Sequence, residues 1–200
     1  MGLTAVPPGE CAAVVTHLEM CERPKPQPMP PAPAGLALVR WPEPTLPKYR
    51  ALFTRVGTPW LWFSRAVMPD DALSAILADP AVEVFAVADR TGIEVGMLEL
   101  DFRKSPDCEI AYFGVVPELT GRGVGRWLMA SALARAWRKD VARIWVHTCT
   151  LDHPSALGFY RAQGFVPFKR EIETFADPRI TGHLPRDAAP QVPLFEPSSR

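Results

Sequence analysis

"PELTGRGVGRWLM", residues 117–129, sets glycines at 121, 123 and 125, with Arg122 between the first two, and runs straight into an apolar segment. Glycine loses more backbone freedom on folding than any other residue, so this stretch carries a cost that something must offset. A strand-like run ends at Val115-Val116, and a helical pattern opens near Gly123. The first N–H groups of a helix have no partner within it and stand at the positive end of its dipole. A loop bare of side chains at that point lets a pyrophosphate reach the amides. The reading therefore assigns Val115, Val116, Gly121, Arg122, Gly123, Val124, Gly125 and Arg126 to a phosphate-bearing ligand, the two arginines adding positive charge. The alternative is a turn that only packs helix against strand. The order G-R-G-V-G-R does not fit the dinucleotide fingerprint, and the G-K-[ST] of a P-loop is absent.

Outward from this stretch, the pattern predicts strands over 11–20, 35–41, 82–89, 93–102, 107–116, 143–150 and 165–174. Helices are predicted over 45–57, 68–80, 124–140 and 154–164. "VEVFAVAD" and "IEVGMLELDF" alternate on either side of Arg-Thr-Gly and read as an antiparallel hairpin. "DCEIAYFGVV" is nearly continuous in apolar character at its end, which suits a central strand covered on both faces. Val124, Leu128, Met129, Ala132, Leu133 and Ala136 recur at helical spacing. Pro154 opens the last helix and Gly164 stops it. The order β-β-α-α-β-β-β-α-β-α-β gives an α/β fold, a mixed sheet with helices on its faces. The first strand is expected to pair with the edge of that core.

The 200-residue chain has 22 Lys+Arg and 22 Asp+Glu, a balance that argues against general nucleic-acid or anionic-membrane binding while leaving a local basic patch open. No apolar stretch approaches the ~18 residues of a membrane span. The first residues lack the basic start and apolar run of a secretory signal, so a cytoplasmic protein is expected. Cys11, Cys21, Cys108 and Cys149 show no CxxC spacing and are expected to be free thiols. His147, Cys149 and His153 do not form a metal motif, and no metal is expected. Of the 23 prolines, eleven lie in two stretches near the ends, 23–33 and 177–200. The chain therefore divides into an N-terminal extension (1–35) with a short strand and a Pro-rich linker, a core domain (36–174) and a Pro-rich tail (175–200).

A second block, "DHPSALGFYRAQGF" (152–165), follows the glycine stretch after one predicted helix and one strand. Together the two blocks resemble the GNAT (GCN5-related N-acetyltransferase) superfamily. The first resembles its R/Q-x-x-G-x-G/A loop, with Thr120 where Arg or Gln is usual. The second resembles N-x-x-A-x-x-x-Y-x-x-x-G-F, with Ala156, Tyr160, Gly164 and Phe165 in place and His153 where Asn is usual. The resemblance covers roughly residues 36–174. It implies a central mixed, mostly antiparallel sheet flanked by helices, here with an N-terminal strand extension. It also implies acetyl-CoA as co-substrate, held by the glycine loop and by His153, Ser155 and Ala156.

The implied reaction moves the acetyl group of acetyl-CoA directly to a primary amine, with no acyl-enzyme. By resemblance Tyr160 is the acid for the leaving thiolate, or else a packing tyrosine. Glu109 is the base candidate, with Glu99 or a water chain as alternatives, and a backbone N–H near Val115 or Val116 receives the oxyanion. Trp60, Trp62 and Phe63, with Arg65, lie where the family commonly lines the acceptor site, and would suit an apolar or aromatic amine or a peptide end; the alternative is that these rings cap the core. A small-molecule or amino-acid-like acceptor is expected. The alternatives are a protein or peptide N-terminal acetyltransferase and a non-catalytic acyl-CoA-binding module. Members of the superfamily often pair as homodimers.

Overall fold

Strands β3 (Val82–Ala88) and β4 (Glu94–Asp101) form the expected antiparallel hairpin, and β4 pairs on its other side with β5 (Asp107–Val115). This is a computed structural model, and it describes residues 2–197; Met1 and residues 198–200, the outermost parts of the predicted extension and tail, lie outside the described residues. With β1 (Glu10–Met20), β2 (Ala37–Trp41), β6 (Arg143–Cys149) and β7 (Val166–Ala176), they build one seven-stranded sheet in the order β2-β3-β4-β5-β6-β1-β7. All its pairings are antiparallel except β5 with β6. The mixed α/β architecture read from the sequence is the architecture found.

Helices cover both faces. On one face lie α1 (Leu46–Gly57), the single turn α2 (Ser64–Val67) and α3 (Asp70–Ala78). Tyr49, Leu52 and Phe53 of α1 and Leu73 and Leu77 of α3 pack there on Val84, Ala86 and Met97. The other face carries α4 (Val124–Ala136) and α5 (Ala156–Ala162), whose Leu128, Met129, Ala132 and Tyr160 pack on Leu98, Leu100, Ile110, Ile144 and Val146. The sequence pattern carried α4 on to residue 140. It ends at Ala136 because Trp137 leaves helical geometry to bury its ring, and Arg138 then lies 3.7 Å over the Phe102 ring and pairs with Glu83.

The first strand does not lie at an edge. β1 is inserted between β6 and β7, and β7 is the edge strand. The cause lies in the sequence of β1, which has apolar groups for both faces: Leu18 and Met20 join the α4/α5 core, while Cys11, Ala13 and Val15 are buried elsewhere. Such a strand needs cover on both sides and a partner on each flank. The proline-rich segment after it must then carry the chain back past four strands to β2. That distance is about 24 Å at ~4.8 Å per strand, well within the reach of the linker at ~3.1 Å per residue in a polyproline conformation.

The proline-rich C-terminal segment is an irregular arm folded back on the domain. Leu184, Ala188 and Ala189 bury against Cys11 and Leu61. Arg179 holds the arm in shape, donating to the Ala188 and Val192 carbonyls and to Asp177, with both side chains of that ion pair only 2% exposed. Burial opposes ionisation of Asp177, but the hydrogen bonds from Arg179 prevail and hold its carboxyl below the usual range. Asp177→Ala would leave a buried arginine without its partner, and we expect a loss of about 3 kcal/mol in urea unfolding. In the wild type this contribution is full above the unfolded aspartate pKa of ~4 and is lost as pH falls through the depressed native value, so the acid limb of stability should flatten in the variant.

Candidate active site

The site begins with a separation of two strands. β5 and β6 pair only from Asp107 to Glu109 against Arg143 to Trp145. Beyond that point β5 continues along β4 as far as Val115, and β6 continues along β1 as far as Cys149, but not with each other. A bulge accompanies the separation: Leu100 faces Ile110 and Glu99 faces Tyr112, leaving Ala111 as the extra residue. An extra residue bends its strand and sharpens the local twist, which turns β5 away from β6. The gap opens into a cavity of ≈ 790 Å³ lined by residues from both faces of the sheet.

The glycine stretch closes one end of this cavity. Gly121 and Gly123 have φ of +76° and +80°, backbone geometry that L side chains rarely adopt. Gly123 caps α4 with no side-chain cap bond, and the first turn of the helix has no acidic residue. Gly125 is helical, and a Cβ there would meet only the Phe159 ring at an ordinary 3.6 Å. Nothing in the protein therefore demands its bareness. Gly121, Gly123, Gly125 and Arg126 line the cavity, as does Val115. Arg122 and Val116 do not, and the Val124 side chain is buried in the core, which leaves that residue only its backbone to offer.

The amide of Val116 donates to the Val95 carbonyl at 2.9 Å. It is therefore not free to receive an oxyanion, which corrects half of the sequence expectation. Because successive residues of a strand direct their amides to alternate sides, the N–H groups of Val115 and Phe113 face the gap.

On the α4/α5 side, His153, Ser155, Ala156 and Tyr160 all line the cavity. His153 Nδ1 accepts the Ser155 N–H at 3.1 Å, so in the neutral ring Nε2 carries the proton. An N–H donor thus stands where the sequence pattern calls for an Asn amide. Tyr160 sits among the rings of Phe113, Phe159 and Phe165. Among the described residues its hydroxyl has no hydrogen-bond partner. Burial, with the nearby Asp152 charge, pushes the phenol well above its usual range, so it stays protonated.

The other side of the gap is walled by aromatic rings. Trp62 is seated against β5 because Gly57 and Gly114 leave room: a Cβ at Gly57 would come within 2.4 Å of Trp62 Cβ, and one at Gly114 within 3.2 Å of the indole. Trp62 Nε1 donates to Asp152, which also accepts from Thr148 Oγ1 and the Cys149 N–H. The loop is thereby pinned to the end of β6. Phe63 stacks on Phe175 at 4.5 Å, and Trp60 meets the His153 ring edge-on. Arg65 does not join them. It is buried with Nη2 2.6 Å from Glu99, which is fully buried and also accepts from Tyr49. The negative charge of Glu99 is thus balanced beneath the sheet, and Glu99 does not line the cavity.

Glu109 does not line it either. It lies 3.6 Å from Nδ1 of His147, and His147 does line the cavity. The carboxylate of Glu109 beside it outweighs partial burial and, with the charges of Asp152 and Glu173, raises the pKa of the imidazole above its usual value. Cys149 also faces the cavity, with its thiol pushed up to about 11 by burial and by Asp152, so it is no nucleophile near neutral pH. All four cysteines are free, and among the described residues no group of acidic, histidine or cysteine side chains could hold a metal ion. No helix among the described residues is long and apolar enough to cross a membrane.

Sequence reasoning missed His147, Val15, Glu173 and Phe175 as cavity residues. Val15, Glu173 and Phe175 lie on β1 and β7, whose side-by-side pairing is not a local property of either segment.

This arrangement has known counterparts. The model of the acetyltransferase (GNAT) family matches residues 41–165, and the chain belongs to that family. β1 and β7 fall outside the match. No curated protein sequence matches. Among solved structures, a GCN5-related N-acetyltransferase from Sphaerobacter thermophilus superposes with a TM-score of 0.58 at 19% identity, over 85% of this chain and 52% of that one. A tandem GNAT protein from the clavulanic acid biosynthesis pathway gives 0.56 at 18%, over 81% and 53%. An aminoglycoside acetyltransferase from an uncultured soil metagenomic sample, in complex with sisomicin, gives 0.52 at 20%, over 64% and 86%. The chain thus spans about half the length of the first two.

Proposed function

We propose that the protein is an acetyl-CoA-dependent N-acetyltransferase that acts on a small-molecule primary amine, as a cytoplasmic enzyme. The observation that carries this reading is the parting of β5 from β6 beside an uncapped, acid-free helix N-terminus. In this reading the pyrophosphate lies on the Gly121–Arg126 amides with Arg126 beside it. The pantetheine arm lies in the gap as an added strand, against the gap-facing amides of β5 and the Nε2–H of His153. The thioester oxygen receives the Val115 N–H. Tyr160 donates to the sulfur as the thiolate leaves, in a pocket dry enough to make that hydrogen bond strong.

The amine comes from the aromatic side and must be neutral to attack. His147 takes its proton through Nε2, and Glu109 orients the ring through Nδ1. Glu109, the base read from the sequence, thus acts one step behind. A peptide N-terminal acceptor would need a groove open at both ends. Here the C-terminal arm backs the aromatic loop, burying Leu61 and donating from Gln191 to the Pro59 carbonyl, which favours a small acceptor.

Calorimetric titration should give micromolar acetyl-CoA binding, and pantetheine without the pyrophosphate should bind at least tenfold more weakly. Gly125→Ala should keep or slightly raise stability, by up to ~1 kcal/mol, yet weaken acetyl-CoA binding; equal affinity in that variant would remove the phosphate role of the loop. His147 accepts a proton only when neutral, so kcat/KM should rise with pH through its raised pKa. Glu109→Gln removes the largest cause of that rise, leaving only the charges of Asp152 and Glu173, and should shift the acid limb to lower pH; an unmoved limb would place the base elsewhere.

A further inference from the structure

The two ends of the cavity differ in charge, and the difference selects the acceptor. Among the residues lining it, the only lysine or arginine is Arg126, in the first turn of α4 beside Gly123. The acceptor end carries Asp152 and Glu173 instead. Asp152 is hydrogen-bonded to Trp62, Thr148 and Cys149, none of them cationic. Glu173 follows the alternation of β7, sharing a sheet face with Phe175, which Phe63 covers. Among the described residues no lysine or arginine pairs with it.

The cations nearby are already engaged. Lys169 and His17 both pair with Glu171, at 2.8 Å and 2.9 Å. Arg65 is buried against Glu99, and His147 is held by Glu109. The remaining walls are mostly rings and aliphatic side chains, Trp60, Trp62, Phe63, Tyr112, Val15 and Phe175, with the Ser64 hydroxyl bonded to that of Tyr112.

On the acetyltransferase reading above, we infer that the acceptor is an amine with an apolar or aromatic body and no carboxylate, its ammonium drawn in by Glu173. An α-amino acid would bring its carboxylate to a wall with no lysine or arginine, beside two carboxylates. Like-charge contact of that kind costs far more than the aromatic burial is altered by adding one polar group. This narrows the acceptor class read from the sequence, by removing its amino-acid-like part. Aromatic faces also attract an ammonium directly, adding to the preference.

The test is binding rather than turnover, so it does not depend on catalysis. The full-length protein, alone and with coenzyme A present, is titrated calorimetrically with 2-phenylethylamine, L-phenylalanine and 3-phenylpropanoate. The inference predicts that 2-phenylethylamine binds at least tenfold more tightly than L-phenylalanine and that 3-phenylpropanoate does not bind. Glu173→Gln, an exposed position on the edge strand, should weaken the amine about fivefold or more and leave acetyl-CoA affinity unchanged. L-Phenylalanine binding as tightly as the amine, or no binding of any of the three, would overturn the inference. Loss of acetyl-CoA binding in the wild type would instead sink the acetyltransferase reading, and the two failures are read in separate titrations.

Discussion

Everything at the site depends on one interaction that stops early. β5 and β6 share three residue pairs and then part, each paired onward with a different neighbour. Had the pairing continued, the gap-side amides of β5 would be consumed by β6 and the cavity would not exist. A buried strand edge without partners is costly, because each unpaired backbone group pays its desolvation. The open edge is tolerable because the cavity gives water or a ligand access to those amides. The bulge at Ala111 fixes where the parting begins, so ligand geometry is set by the sheet rather than by a mobile loop.

The second constraint is charge. The N-terminus of α4, with no acidic first turn and Arg126 beside it, makes one end positive. Asp152 and Glu173 make the other end negative. On the acetyl-transfer reading proposed above, this polarity orders a ligand pair: an anionic carrier from the helix side and a cationic acceptor from the aromatic side would meet at the middle of the sheet, where Tyr160 and the Val115 amide lie. Burial of Arg65 with Glu99 and Tyr49 beneath β4 keeps a strong positive charge out of the acceptor end while holding α1 and α2 to the sheet.

Much of this was legible in the sequence, and the exceptions have a common cause. The glycine stretch, the helix after it and the block ending in Tyr160, Gly164 and Phe165 are local signals, and Gly121, Gly123, Gly125, Arg126, Ala156 and Tyr160 from them line one cavity. The β3–β4 hairpin was equally local. What could not be read depended on which strands become neighbours over long chain separations. β1 looks like a short edge strand by itself, yet it fills the place between β6 and β7 and brings Val15, Glu173 and Phe175 to the site. His147 gave no motif because its partner Glu109 is 38 positions away and meets it only through the parallel β5–β6 pairing. The spent amide of Val116 was likewise invisible, since it depends on where β4 ends. Arg65 read as an exposed acceptor contact because its buried partner Glu99 lies on another strand.

The central claim is that the gap between β5 and β6 is an acyl-CoA slot. Amide hydrogen exchange of the full-length protein, with and without saturating acetyl-CoA, tests it most directly. The account predicts slowed exchange in peptides covering 110–116 and 121–127, because ligand amides and phosphate oxygens would then occupy those N–H groups. Bound acetyl-CoA that leaves both stretches exchanging as in the free protein would contradict it.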